Sequence, residues 1–296
     1  MRPELFGLDH LMIATASLPD VRRTYERLGF TVTPYRSNEP MGGGKTGGRG
    51  GNHLVMMTAT DARMANYLEL AYADPAYAAP YVKSLLSRPA GLAMLVHSGE
   101  ALRDLDAGWQ AAGLPGCEVY ELNTLFTDDE SGVTDRIHFE VLVPTAHQGP
   151  FAVNACRYFE LNHYRRPDWV AHENGALRWD QVTIVQDDLT AVDAYLQKIY
   201  DAAPDRAGDS LSVRVGDQSL VAITPETFTE KFSDAVRRRS DGSQADTAIG
   251  ILTQSLEKTR TCLAENSVPS IQLDDRLVVP ASACDGVILI FHEAAE

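Results

Sequence analysis

Leu8-Asp9-His10-Leu11-Met12-Ile13-Ala14 is a short apolar run carrying one histidine, and Tyr67-Leu68-Glu69-Leu70-Ala71 is a second run carrying one carboxylate. Between them the residues spell one helix and two further strands. Ser17-Leu18-Pro19-Asp20 is a helix start with proline near the first turn. Val21, Tyr25 and Leu28 recur at helical period, and Gly29 stops the helix. Phe30 to Thr33 reads as a β-branched strand and His53 to Met57 as the next one. The unit is strand–helix–strand–strand–strand, with His10 on its first strand and Glu69 on its last. A histidine and a carboxylate so placed are a candidate metal or acid–base pair.

The layout recurs. Leu92 to Val96 opens a second unit, whose helix runs from Ala101 to Ala112 and whose last strand, Arg157-Tyr158-Phe159-Glu160-Leu161, echoes Tyr67 to Leu70. Trp179-Asp180-Gln181-Val182-Thr183-Ile184-Val185 repeats the opening stretch, and Ala248 to Leu252 starts a fourth unit. Pro225 to Arg239 reads as an amphipathic connecting helix. One helix covers only one face of a small sheet, so a second sheet must cover the other. The expected fold is α+β: four βαβββ modules paired into two curled, cleft-forming half-barrels. The expected halves are residues 1–165 and 166–296, close to the length prior of roughly 150 residues per domain.

The chain has 296 residues, 44% of them hydrophobic, and a net charge of -15. So acidic a surface repels polyanions, which argues against nucleic acid as a partner. No apolar run approaches the roughly 20 residues of a membrane span, and Met1-Arg2-Pro3-Glu4 leading almost at once into a strand makes a chain without a secretory signal the expectation. Cys117, Cys156, Cys262 and Cys284 are scattered, as expected of free thiols in a reducing cytoplasm. The chain is expected to be cytoplasmic, a monomer or homodimer, with a small molecule as its partner.

Leu8-Asp9-His10, Gly29-Phe30, Tyr67-Leu68-Glu69-Leu70, Arg166-Pro167-Asp168-Trp169, His172-Glu173-Asn174-Gly175-Ala176 and Arg276-Leu277-Val278-Val279-Pro280 are short pieces whose order and spacing span nearly the whole chain. Together they resemble the vicinal oxygen chelate superfamily, and more closely its glyoxalase-like domain proteins. The resemblance implies a divalent metal (Fe, Mn, Ni or Zn) in the cleft of a module pair, with ligands from first and fourth strands. Carried over, His10 and Glu69 match in module one and Glu160 in module two. Met94 falls at the first-strand position of module two and is a poor ligand for a hard ion. Module three offers Gln181 and module four Gly250, so any metal is expected in the first half.

The expected metal ligands are therefore His10, Glu69 and Glu160, with His138 able to complete the shell. Glu69 and Glu160 are the candidate catalytic carboxylates. His53, Arg49, Tyr67 and Tyr158 are the candidate substrate contacts. By alternation along a strand, His10 shares a face with Leu8 and Met12, and Glu160 with Tyr158. The competing reading of His10 and Glu69 is a buried hydrogen-bonded pair, since an unpaired charge inside is costly. Gly42 to Gly51 formally contains G-x-G-x-x-G, but a strand follows where a helix is needed, so a dinucleotide site is rejected. A flap over the cleft, with Lys45 and Arg49 reaching an anion, is expected instead. The function expected is a metal-dependent enzyme with lyase, isomerase or ring-cleaving dioxygenase chemistry on a small oxygenated molecule. The alternative is a metal-free binding or resistance protein of the same fold.

Overall fold

The computed structural model describes residues 5–37, 50–73, 81, 84–85, 90–128 and 131–294. The first unit comprises β1 (Leu5–Ala14), the Leu18–Arg27 helix, β2 (Arg36–Ser37), β3 (Gly50–Met56) and β4 (Tyr67–Ala73). The same order returns in β5 (Gly91–Gly99), the Leu102–Ala111 helix, β6 (Cys117–Thr127), β7 (Thr134–Pro144) and β8 (Val153–Glu160). It returns again in β9 (Ala176–Val185), the Leu189–Tyr200 helix, β10 (Asp205–Arg206), β11 (Ser210–Val215) and β12 (Gln218–Ile223). The last unit holds β13 (Thr247–Thr253), the Leu256–Glu265 helix, β14 (Ile271–Leu273), β15 (Arg276–Val279) and β16 (Ile288–His292).

The described strands form two eight-stranded sheets, ordered β2-β3-β4-β1-β5-β8-β7-β6 and β10-β11-β12-β9-β13-β16-β15-β14. In each, the first strands of two units pair antiparallel at the centre, β1 with β5 and β9 with β13. Each fourth strand lies parallel beside its own first strand. A parallel pair needs a crossover, which the helix and the two intervening strands supply. The α+β architecture of paired, curled modules is the one expected.

One face of each sheet is covered by helices. Leu8, Leu11 and Ile13 of β1 and Val182 and Ile184 of β9 belong to a single continuous core with Val21, Tyr25, Trp109, Val192 and Leu263 from the helices. The two sheets therefore share one interior across their helical layers. The Trp109 indole donates to the Ile199 carbonyl at 3.1 Å, and the Tyr195 hydroxyl donates to the Phe151 carbonyl at 2.9 Å. Each links a helix of one half to backbone of the other. Full burial of such side chains contributes about 1.5–3 kcal/mol apiece, so the shared core is a principal source of stability.

The opposite faces differ. On the first sheet, Leu54, Met56, Tyr67, Met94 and Phe139 form a separate cluster with Tyr164 of the turn that follows β8. In the second, the Pro225–Arg237 helix, broken at Ser233 (φ 61°, ψ 156°), lays Phe228 and Phe232 before the break and Val236 after it against Ile223, Ala248, Ile288 and Ile290. Thr224 caps that helix by accepting from the Thr227 amide, and Pro225 occupies its first turn. The connecting helix thus fills one end of the second cleft.

Phe30 to Thr33 is not a strand. The Thr33 amide donates to the Leu54 carbonyl at 2.9 Å, but Pro34 follows with no N–H to continue a ladder, and pairing resumes only at Arg36. Of the glycine-rich stretch, Gly50 and Gly51 belong to β3, while the rest of the expected flap, with Lys45 and Arg49, lies outside the described residues.

Candidate active site

The site is built on an irregularity in β1. Its pairing with β5 shifts register between Leu8 and His10, so Asp9 and His10 together face one step of the partner strand. Strict alternation fails there. Leu8 packs into the helix-side core, whereas both Asp9 and His10 turn to the cleft. Asp9 is fully buried. Its Oδ1 accepts from His10 Nδ1 at 2.8 Å and from the Tyr158 hydroxyl at 2.6 Å, and its Oδ2 accepts from the Ala65 amide at 3.0 Å. The sequence reading missed Asp9, because alternation assigns it to the helix side.

With Nδ1 held by Asp9, the His10 ring presents Nε2 to Glu69, 3.5 Å from Oε2. The ring stacks on Tyr67 with centroids 4.2 Å apart. Asn52 donates to Glu69 Oε1 at 2.6 Å, and the Tyr67 and Tyr158 hydroxyls meet at 3.2 Å. Arg36 reaches the Tyr164 hydroxyl at 3.4 Å. Burial works against a charged His10, but Asp9 and Glu69 more than offset it, so its pKa lies above the usual 6.5. Burial likewise works against an ionised Glu69, yet His10, Arg36 and Asn52 hold its pKa below the usual carboxylate range. A histidine between two buried carboxylates can bind an ion or carry a proton.

Of the residues the sequence nominates, His10, Glu69, Tyr67 and Tyr158 are brought together. Glu160 is not. The pairing of β7 with β8 shifts between His138 and Phe139, so Glu160 stands opposite His138 while Tyr158 stands opposite Phe139. Phe139 lies in the cleft cluster and its neighbour His138 on the other face, and Glu160 goes with His138. There Glu160 lies 3.7 Å from Arg136 with its side chain 40% exposed. His138 donates to Glu121 at 2.8 Å and packs on Phe159, away from His10. His53 also faces away: Leu54 and Met56 of β3 belong to the cleft and Val55 to the helix side, and His53 Nδ1 donates to the Thr33 carbonyl at 2.8 Å. Arg49 lies outside the described residues.

The register names a residue that the sequence reading passed over. Glu69 stands beside Met12 across β4 and β1; the corresponding place in module two, beside Val96 across β8 and β5, is Asn154. His10, Val96 and Asn154 form one row across three strands. Asn154 sits between Ala152 and Cys156, both of the cleft cluster. It is buried, and its Oδ1 has no hydrogen-bond partner among the described residues; the same holds for Asn52 Oδ1. Such orphaned acceptors are costly unless a donor or a cation meets them.

Asp9, His10 and Cys156 bring donor atoms within 4.8 Å of one another. That trio is a poor cation site. The Asp9 oxygens and His10 Nδ1 are spent on hydrogen bonds, and burial pushes the Cys156 thiol well up, so it stays protonated and donates to the His97 carbonyl. The Nε2 side of His10 is different. Two ligands of one ion, each bonded at about 2.0–2.2 Å, have donor atoms about 3 Å or slightly more apart. The 3.5 Å gap from Nε2 to Glu69 suits that separation better than it suits a hydrogen bond. The Asp9–His10 contact is also the usual support of a metal-bound imidazole, which donates its other N–H to a carboxylate. The His10 Nε2–Glu69 pair therefore has the spacing of two ligands of one divalent ion, and Asn154 Oδ1 is an unpaired acceptor on the same side of the sheet.

A model of the glyoxalase-like domain family matches residues 8–200, well over half of the chain. The chain belongs to this glyoxalase-like family, within the vicinal oxygen chelate superfamily. No curated relative matches it. Its fold is similar to that of a hypothetical protein from Staphylococcus aureus, at 10% identity and TM-score 0.59 over 97% of this chain and 99% of that one. It is also similar to the 2,3-dioxygenase LapB from Pseudomonas sp. KL28, at 12% identity and TM-score 0.53 over 100% and 94% of the chains. A xylose isomerase-like TIM barrel/4-hydroxyphenylpyruvate dioxygenase fusion protein matches at 10% identity and TM-score 0.54, over 99% of this chain and 50% of that one. At these identities the likeness is one of fold. The family match runs past β8 into β9 and the Leu189–Tyr200 helix. Those elements help close the first half: Asn66 bonds both backbone groups of Trp179, and the Tyr200 hydroxyl lies 2.6 Å from His97 Nε2. Among the described residues no helix is long and apolar enough to cross a membrane.

Proposed function

We propose that the cleft of the first half, residues 1–165, binds a divalent metal ion through His10 Nε2, Glu69 and Asn154 Oδ1 and acts on a small oxygenated organic molecule. The observation that carries this is the His10 ring, fixed through Nδ1 by a buried carboxylate and aimed through Nε2 at a second one. When bound, the ion supplies Lewis-acid stabilisation of a negative charge developing on substrate oxygen. Asp9 holds the ring in one tautomer and orientation. Tyr67 supports it from below by stacking, and the Tyr67–Tyr158 pair ties the two walls of the cleft together. Arg36, close to Glu69 and Tyr164, offers a guanidinium to an anionic substrate group. The apolar Met56, Met94 and Phe139 exclude water from the remaining wall. Glyoxalase-like, isomerase and ring-cleaving dioxygenase reactions share this requirement for a stabilised oxyanion.

The second reading is a metal-free binding cleft. It rests on Arg36: with His10 protonated, the cations His10 and Arg36 balance the carboxylates Asp9 and Glu69 without an ion. Metal analysis separates the two readings. Protein purified without chelator and re-equilibrated with Mn, Fe, Ni or Zn should retain about one ion per chain, as one such site requires. His10→Ala and Glu69→Gln should each lose it while remaining folded. Full metal content in both variants would refute the metal reading. An ion-free wild type that still binds a small aromatic anion would favour the second.

A further inference from the structure

The second half has a cavity of its own. It measures about 610 Å³ and is lined by Arg178, Asp180 and Gln181 of β9, Gly250 of β13, Arg276 of β15 and His292 of β16. It occupies the end of the concave face that the Pro225–Arg237 helix leaves open. Its framework repeats that of the first cleft. The pairing of β9 with β13 steps from Gln181 opposite Gly250 to Trp179 opposite Ile251, skipping Asp180, as β1 skips Asp9. Gln181, Gly250 and Ile290 form a row like that of His10, Val96 and Asn154. His292, two residues past Ile290, therefore takes the place of Cys156, and its Nε2 donates to Asp180 Oδ1 at 3.0 Å. The chemistry has changed, but an acid at the bulge still holds an imidazole.

The charges in this cavity are unevenly satisfied. Asp180 holds His292, Asp275 lies 3.6 Å from Arg276, and Glu293 accepts from the Leu256 amide at 2.6 Å. Each acid thus has a partner. Arg178 has no hydrogen bond or ion pair among the described residues, and its Nε is buried. A guanidinium half withdrawn from water with no acceptor leaves a fork of donors unspent. Beside it, Leu252 and Ile290 are buried apolar wall.

We propose that this second cavity binds a small monocarboxylate, with its carboxylate on the Arg178 guanidinium and its apolar body against Leu252 and Ile290. The guanidinium fork matches a carboxylate in two parallel hydrogen bonds. Three acids in the walls make the cavity unwelcoming to a dianion such as phosphate. The volume falls within the roughly 300–1,000 Å³ of small-molecule sites. None of this depends on a metal in the first half.

The probe is benzoate, titrated into the full chain and followed by calorimetry and by imidazole resonances. Benzoate should bind saturably, shift the His292 resonances and leave those of His10 in place. Arg178→Met, which keeps the stem of the side chain, should weaken binding at least tenfold, while Glu69→Gln leaves it unchanged. Benzamide and inorganic phosphate should fail to displace the probe. The proposal is overturned if wild type does not bind benzoate at millimolar concentration, if Arg178→Met binds as wild type does, or if phosphate competes equally. It is also overturned if His10 responds and His292 does not, which places the anion in the first cleft. Loss of metal in His10→Ala bears only on the first cleft, so the two proposals fail separately.

Discussion

Replacing Asp9 with asparagine removes one charge and almost no volume. In the wild type the carboxylate is fully buried and accepts from Tyr158, His10 and the Ala65 amide at 2.6, 2.8 and 3.0 Å. The carboxamide has one oxygen. If that oxygen serves His10 and Tyr158, its NH₂ points at the Ala65 amide, donor against donor. An orphaned buried amide costs about 1–3 kcal/mol, and each of the two remaining bonds loses about 1 kcal/mol with the acceptor's charge. The expected loss is about 3–5 kcal/mol, the range for breaking a buried charged pair from one side. Against a typical total of about 5–15 kcal/mol, that is a large share. Urea unfolding measures it as a lower midpoint with an unchanged slope. In metal-free protein the His10 pKa should also fall, because Asp9 is one of the two carboxylates lifting it. A stability change under about 1 kcal/mol together with an unmoved His10 pKa would refute the assignment of Asp9 as the group that organises the site.

Two other outcomes follow from the packing. Burial depresses His97 and His172 to about 4, both in neutral tautomers: His97 donates to the Asn154 carbonyl, and His172 accepts from the Thr31 amide while donating to the Met56 carbonyl. The unfolded chain then binds more protons between about pH 4 and 6.5, so this stability is complete above 6.5 and is lost as pH falls through that window, by about 3 kcal/mol per histidine. Denaturant midpoints measured from pH 7 to 4.5 check the slope, and a flat profile contradicts it. Phe228→Ala should cost about 3–5 kcal/mol, because its fully buried ring anchors the connecting helix on the second sheet. A loss below 1 kcal/mol in thermal or urea unfolding would mean the helix is not docked as described.

The fold was legible because its signals are periodic. Strand-length apolar runs, helix stops at Gly29 and Gly113, and the echo of Leu8 to Ala14 in Trp179 to Val185 all survive into the structure. The site was legible only in part, because alternation is a rule about regular strands and the site sits on irregular ones. The bulge at Asp9 brings a second acid into the cleft that parity sends elsewhere. The irregularity near Phe159 turns Glu160 out to Arg136. Neither bulge has a glycine or proline to announce it. Asn154 was missed for a different reason: the β8 signal was read from Arg157 onward, whereas pairing begins at Val153, and the position opposite Val96 is fixed only by register. His53 lies one residue from the cleft-facing Asn52, and no pattern within Gly50 to Met56 tells the two faces apart. The Pro225–Arg237 helix was legible as amphipathic, but which surface its apolar side would cover was not.

The most direct test of a metal site at His10 is the anomalous scattering of manganese in crystals of the full chain equilibrated with Mn²⁺. The account predicts one strong peak in the first cleft, at a bonding distance of about 2.0–2.2 Å from His10 Nε2 and a Glu69 oxygen, with Asn154 Oδ1 turned toward it. A peak coordinated by Asp9 and Cys156 instead, or no peak beside His10 at full manganese occupancy of the solution, would contradict it.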